Sequence, residues 1–132
     1  MSVEICFEDF KPLVEHHYHF IKRFQCPDEF CIVFLRPENQ EIFSQLKEVI
    51  KEALRSTDLF AEKDGNIFLI LPGASKKGVK FITKAIYDFF NGEVVEVYID
   101  YPYDAKTPEE LIEAFIKETE NKFGYLLGKY FK

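Results

Sequence analysis

The densest run of chemically usable side chains lies between residues 55 and 68, where Arg55 and Asp58 stand three apart and are followed by Asp64, Gly65, Asn66, Ile67 and Phe68. Arg55 and Asp58 set a charged donor beside a charged acceptor, and by themselves they read as a helix-end cap and ion pair of small energetic worth. Asp64 and Asp100, each near a strand end, supply the carboxylates from which an acidic site could be assembled. His16, His17 and His19 with Cys26 and Cys31 offer nitrogen and sulfur donors, but their spacing matches no zinc motif. His17 falls on an apolar stripe, and Cys31 sits in an apolar run where a thiol packs as a small hydrophobe, so no metal is expected. No Ser/His/Asp or Cys/His arrangement follows from spacing. Six glycines are spread too thinly to form a phosphate-cradling loop.

These side chains need a scaffold, and hydrophobic periodicity outlines it. Phe10, Leu13, Val14, His17, Tyr18, Ile21 and Phe24 recur at spacings of three and four, predicting a helix over 9–24 with Pro12 in its first turn. After a loop containing Pro27, residues 30–35 (FCIVFL) form a strand apolar enough to be buried on both faces. Pro37 opens a second helix to about residue 55, with Ile42, Phe43, Leu46, Val49, Ile50 and Ala53 as its core face. Asp64-Gly65, between residues 59–63 and the apolar run 67–71, is a two-residue hairpin signal, because both residue types tolerate the positive φ of a type I′ turn. Ser75 caps a third helix whose Val79, Ile82, Ile86 and Phe89 face inward as far as an Asn91-Gly92 stop. Residues 94–99 form a fourth strand, and Thr107-Pro108-Glu109-Glu110 is a capping box with proline at the first helical position. The tail over 125–131 is a short strand or an apolar segment packed on the core.

The order strand, helix, strand, strand, helix, strand is the split βαβ arrangement of ferredoxin-like folds, in which the strand after the first helix takes an edge and the hairpin returns beside the first strand. Leu35 and Arg36 should then lie against the Asp64-Gly65 turn. The stretch RSTDLFAEKDGNIFLILPG, residues 55–73, resembles the core of the GGDEF family of diguanylate cyclases, in which R-x-x-D ends a helix and the signature occupies a turn before an apolar strand ending in L-P. The resemblance implies a palm-like sheet, and a site in which two magnesium ions would be held by an acid at the end of the first strand and an acid at the third signature position. Here the strand ends Phe34-Leu35-Arg36-Pro37, and the signature reads Asp64, Gly65, Asn66, Ile67, Phe68. Asp64 replaces a glycine, Asn66 and Ile67 replace acids, and the family's guanine-reading segment before Arg55 is absent. The resemblance also implies an inhibitory site at Arg55 and Asp58, where arginine meets guanine or phosphate of cyclic di-GMP and aspartate accepts from the guanine edge. No second arginine assists, since the third helix offers Lys76, Lys77, Lys80 and Lys84.

With 132 residues the chain reads as one α+β domain of ferredoxin-like or palm type with an antiparallel sheet: an N-terminal helix over 1–27, a core over 30–100, and a C-terminal helix and tail over 107–132. Fifteen Phe and seven Tyr without Trp point to an aromatic core. A net charge of −6 argues against a grip on nucleic-acid phosphates. No apolar run approaches the ~20 residues that span a bilayer. Three cysteines without a signal-peptide pattern fit reduced thiols in a cytoplasm. The expectation is a catalytically inactive, hence non-enzymatic, GGDEF-like regulatory or protein-interaction domain without cofactor, with a protein partner or a second copy of itself. Two alternatives stay open: a cyclic di-GMP receptor at Arg55 and Asp58, and an enzyme with a relocated acidic site.

Overall fold

In the computed structural model, residues 2–25, 28–91 and 94–131 are described; Cys26, Pro27 and Gly92 of the sequence reading lie outside them. Five strands, β1 (Val3–Glu4), β2 (Phe30–Pro37), β3 (Leu59–Lys63), β4 (Asn66–Pro72) and β5 (Val94–Tyr101), form one sheet in the order β1-β3-β4-β2-β5. The pairings are antiparallel except β1 with β3, which is parallel. Helices α1 (Phe10–Phe24) and α4 (Pro108–Phe123) cover one face, and α2 (Phe43–Ala53) and α3 (Lys80–Phe90) cover the other.

Alternation along β2 builds both cores. Phe30, Ile32 and Phe34 pack with Phe10, Phe68 and Phe115 on the α1/α4 side, while Cys31, Val33 and Leu35 pack with Leu46, Ile50 and Ile82 on the α2/α3 side. A strand that is apolar at every position is what a sheet covered on both faces requires. The first cluster is aromatic, with Phe10, Phe34, Phe68 and Phe115 in stacked, tilted and edge-on contacts 5.5–6.3 Å apart.

Several sequence expectations change. The edge assigned to β3 is capped by β1, where Val3 N–H donates to the Asp58 carbonyl at 3.0 Å; a two-residue strand is too short to show periodicity. Pro37 ends β2 instead of opening α2, and Asn39 caps a short 3-10 turn that leads into the helix. Phe24 and Phe89 leave their predicted core stripes and are 56% and 68% exposed, and in α3 Phe90 takes the inward place because the buried row of Ile82 and Ile86 continues at a spacing of four. Thr107 caps α4 as expected, its Oγ1 accepting from Glu110 N–H, but the reciprocal bond from Glu110 falls one residue upstream, on Lys106 N–H. The tail is no strand; it turns through a 3-10 segment at Gly128–Tyr130 with Leu127 buried. Among the described residues no helix is long and apolar enough to cross a membrane.

Candidate functional site

The hairpin forms as its residues dictate, with Asp64 at φ +51° and Gly65 at φ +79°, the positive pair of a type I′ turn. Leu35 is paired with Ile67 across β2 and β4, which sets Arg36 beside Asn66 at the open end of the sheet. Arg36 Nη1 donates to Asn66 Oδ1 at 2.9 Å and to the Asp64 carbonyl at 3.1 Å. Asn66 is fully buried and passes its amide proton to Tyr125 Oη at 3.0 Å. Tyr130 donates to Asp64 Oδ2 at 2.9 Å, so the 3.2 Å contact between the two phenols is a bond donated by Tyr125. Arg36, Asn66, Tyr125, Tyr130 and Asp64 thus close a circuit of hydrogen bonds between the hairpin and the tail. The Arg36 guanidinium also lies 4.6 Å from the centre of the Tyr125 ring.

Electrostatics divides the two phenols. Burial would raise Tyr125, but bonds to Asn66 and Tyr130 and the charges of Arg36 and Lys129 prevail and hold it below the usual phenol range. Tyr130 is pushed up by burial and by its bonds with Tyr125 and Asp64. At this end of the sheet the Arg36 guanidinium already holds the Asn66 amide oxygen and Asp64 is the one carboxylate of the circuit, which is too little negative charge to fit a pair of magnesium ions. Ile67 and Phe68, the last two signature positions, are buried on opposite faces and carry packing.

Arg55 and Asp58 do come together. Asp58 is fully buried, accepting from the Arg55 N–H at 2.9 Å and from its Nε and Nη2 at 3.2 and 3.1 Å. Arg55 Nη2 also donates to the Pro72 carbonyl at 2.9 Å, so the pair clasps the end of α2 to the end of β4. Lys76 and Lys77 precede α3 and are not part of it.

The sheet separates the remaining donors. His17 stacks edge-on against Phe30 at 4.9 Å on the α1 side, whereas Cys31 is buried on the α2/α3 side. Burial, then His16, lowers the His17 pKa, and burial, then Asp100, raises that of Cys31. Among the described residues no group of three His, Cys, Asp or Glu side chains converges on an ion. Asp64 and Asp100 lie at opposite ends of the sheet, since Asp100 pairs with Cys31 near the start of β2 and Arg36 lies near its end; a joint acidic site is ruled out by register.

Asp100 has another partner. Its Oδ2 accepts from Lys76 N–H at 3.1 Å, its own N–H donates to Asp104 at 3.0 Å, and Asp104 pairs with Lys76 Nζ at 2.7 Å, leaving Asp100 Oδ1 buried with no partner among the described residues. Burial and the bond with Asp104 raise the Asp100 pKa. Burial would also raise Asp104, but bonds from Asp100 and Lys76 outweigh it and hold Asp104 low. A raised carboxyl keeps a proton in the folded state that the unfolded chain has lost, so its share of stability falls as pH rises through that window; the lowered Asp104 acts in the opposite sense. Asp100→Asn, which mimics the protonated acid, is therefore expected to equal or exceed the parent in urea melts at pH 7, with an advantage that grows from about pH 4 upward. Asp104→Asn should lose about 1 kcal/mol. A loss at pH 7 in Asp100→Asn as large as in Asp104→Asn would show that Asp100 is held as the anion.

Arg36, Tyr125 and Tyr130 were the residues that sequence reasoning missed. Arg36 was expected against the turn but was given no partner there, and the tyrosines registered only as tail. The available signal was a charged residue ending an apolar strand opposite a buried polar one, which must find a partner.

No protein-family model matches the chain, and no curated protein matches it in sequence. Solved structures do match in fold. The isolated GGDEF domain of the Pseudomonas aeruginosa protein TpbB, or YfiN, aligns with a TM-score of 0.71 at 15% identity, covering 92% of this chain and 86% of that one. A DGC (diguanylate cyclase) protein from Thermotoga maritima aligns with a TM-score of 0.71 at 18% identity, covering 85% of this chain and 92% of that one. These neighbours correct the expectation that the chain is no enzyme: the fold is one that a diguanylate cyclase uses, so an altered signature is no ground for denying the chain an activity.

Proposed function

Starting from a chain with the GGDEF-domain fold, we propose that it serves as a regulatory, protein-interaction domain that pairs with a second copy of itself through α3. The observation that carries this reading is the composition of that helix. Seven of its 11 residues are apolar, namely Phe81, Ile82, Ala85, Ile86, Tyr87, Phe89 and Phe90, and only part of them can face the sheet. A helix that is apolar on more than one side is covered on more than one side. Tyr87 and Phe89 stand 66% and 68% exposed, and Phe89 borders a groove of about 530 Å³ that α3 forms with Val49 and Glu48 of α2. A projecting ring and a groove within one patch suit a two-fold contact, in which each copy must supply both parts.

Sedimentation velocity over a range of concentrations tests this. The parent chain should show a concentration-dependent dimer, and Phe89→Asp should weaken it about a hundredfold or more by placing a charge in the contact. Sedimentation of the parent as a monomer throughout, or a dimer indifferent to Phe89→Asp and Tyr87→Asp, overturns the reading.

A further inference from the structure

We infer that the pocket between the start of α1, the end of β3 and the tail is a binding site for a small organic anion that carries a flat ring. The cavity is about 390 Å³ and has a floor of aromatic side chains. Phe7 packs edge-on to Tyr130 at 5.8 Å and against Phe131 at 5.5 Å, and all three half-buried rings line the cavity. Three lysines from three different elements line it: Lys11 of α1, Lys63 of β3 and Lys129 of the tail. Glu8 is the one acid among the lining residues.

Three like charges around one cavity repel one another, and in a chain of net charge −6 there are acids enough to pair them. Among the described residues none of the three has a carboxylate within ion-pair distance, as is true of most described lysines, and what sets these three apart is their convergence on one cavity. Lys129 instead rests over the rings of Tyr125 and Tyr130, 5.5 and 5.0 Å from their centres. Ammonium groups at the rim and ring faces below are what a phosphate or carboxylate attached to an aromatic ring requires: the anion draws the lysines together, and the ring stacks on the floor. The volume lies within the range of small-molecule pockets. The site is also wired to the hairpin, because Tyr130 lines the pocket and donates to Asp64.

Amide chemical-shift titration of the full chain with phenyl phosphate is the test, with inorganic phosphate and benzyl alcohol as half-ligand controls. Phenyl phosphate should bind with a Kd of about 1 mM, the level expected for a ligand of so few atoms, and each control should bind about tenfold more weakly. Shifts should centre on residues 7–11, 63, 129 and 130 and extend to Asp64. Lys63→Glu and Lys129→Glu should each weaken binding about tenfold, and Glu8→Gln should strengthen it. The amide spectra of the variants report directly whether they are folded. No shift at ten times that concentration overturns the site; so do shifts scattered over surface lysines at large, or binding unchanged in both charge-reversal variants.

Discussion

Gly65→Val is expected to lower folding stability by about 3 kcal/mol, against about 1 kcal/mol for Asp64→Ala, in urea or thermal melts. Both turn positions have positive φ, but a β-branched residue is far worse suited to φ +79° than glycine, which adopts it without strain. A second, smaller effect adds to the first. A Cβ on Gly65 would run into the Gln40 side-chain amide, whose Nε2 donates to the Pro37 carbonyl at 3.0 Å, so that flexible side chain must shift to make room. Asp64→Ala loses one accepted bond, from Tyr130, in an exposed place. Gly65→Ala, which meets the same collision with a smaller side chain, should fall between the two. Equal melting of the valine and alanine variants at 65 and 64 would remove both the turn geometry and the Gln40 contact as explanations.

Arg55→Ala is expected to be nearly as damaging, at about 3 kcal/mol, and to exceed Asp58→Ala at about 2 kcal/mol. The inequality follows from burial. Deleting the guanidinium leaves a fully buried carboxylate with the Arg55 N–H alone, whereas deleting the carboxylate leaves a half-exposed guanidinium that water can reach. The double variant should recover part of the loss, because it leaves no buried charge behind. Cyclic di-GMP at millimolar concentration provides the contrast: ligand binding to the folded chain would raise the melting temperature of the parent and not of either variant. A clasp predicts the stability losses without that ligand-dependent rise. Single variants that melt with the parent would return Arg55 and Asp58 to the class of surface pairs that contribute little.

How much of this was legible beforehand depends on the range of the interaction. The type I′ turn at Asp64-Gly65, the doubly buried β2 and the proline-led start of α4 are local, written in adjacent residues whose backbone preferences need no partner. The GGDEF-like order of elements followed from them, as did the approach of Arg36 to the turn. Helix starts were less readable where a short 3-10 turn intervened, as before α2, and in α3 only the last inward position was misread, since the row of Ile82 and Ile86 continues to Phe90 at a spacing of four and not to Phe89 at three.

The chain's one-dimensional pattern therefore determined which segments pair, which strand is buried on both faces and where the hairpin turns. Only the folded molecule decided what the polar residues do there. Arg36 and Asn66 are 30 positions apart and Asn66 and Tyr125 59 apart, and nothing in the spacing of either pair marks them as partners. Burial makes the choice: once the sheet removes Asn66 from water, its amide must be satisfied by whatever the fold brings within reach, and the fold brings a strand-end arginine and a tail tyrosine. The same reasoning turned Arg55 and Asp58 into a clasp, because the fold buries the aspartate and leaves Arg55 to satisfy its carboxylate, while the two-residue strand that pairs with β3 beside it leaves no periodic trace in a sequence.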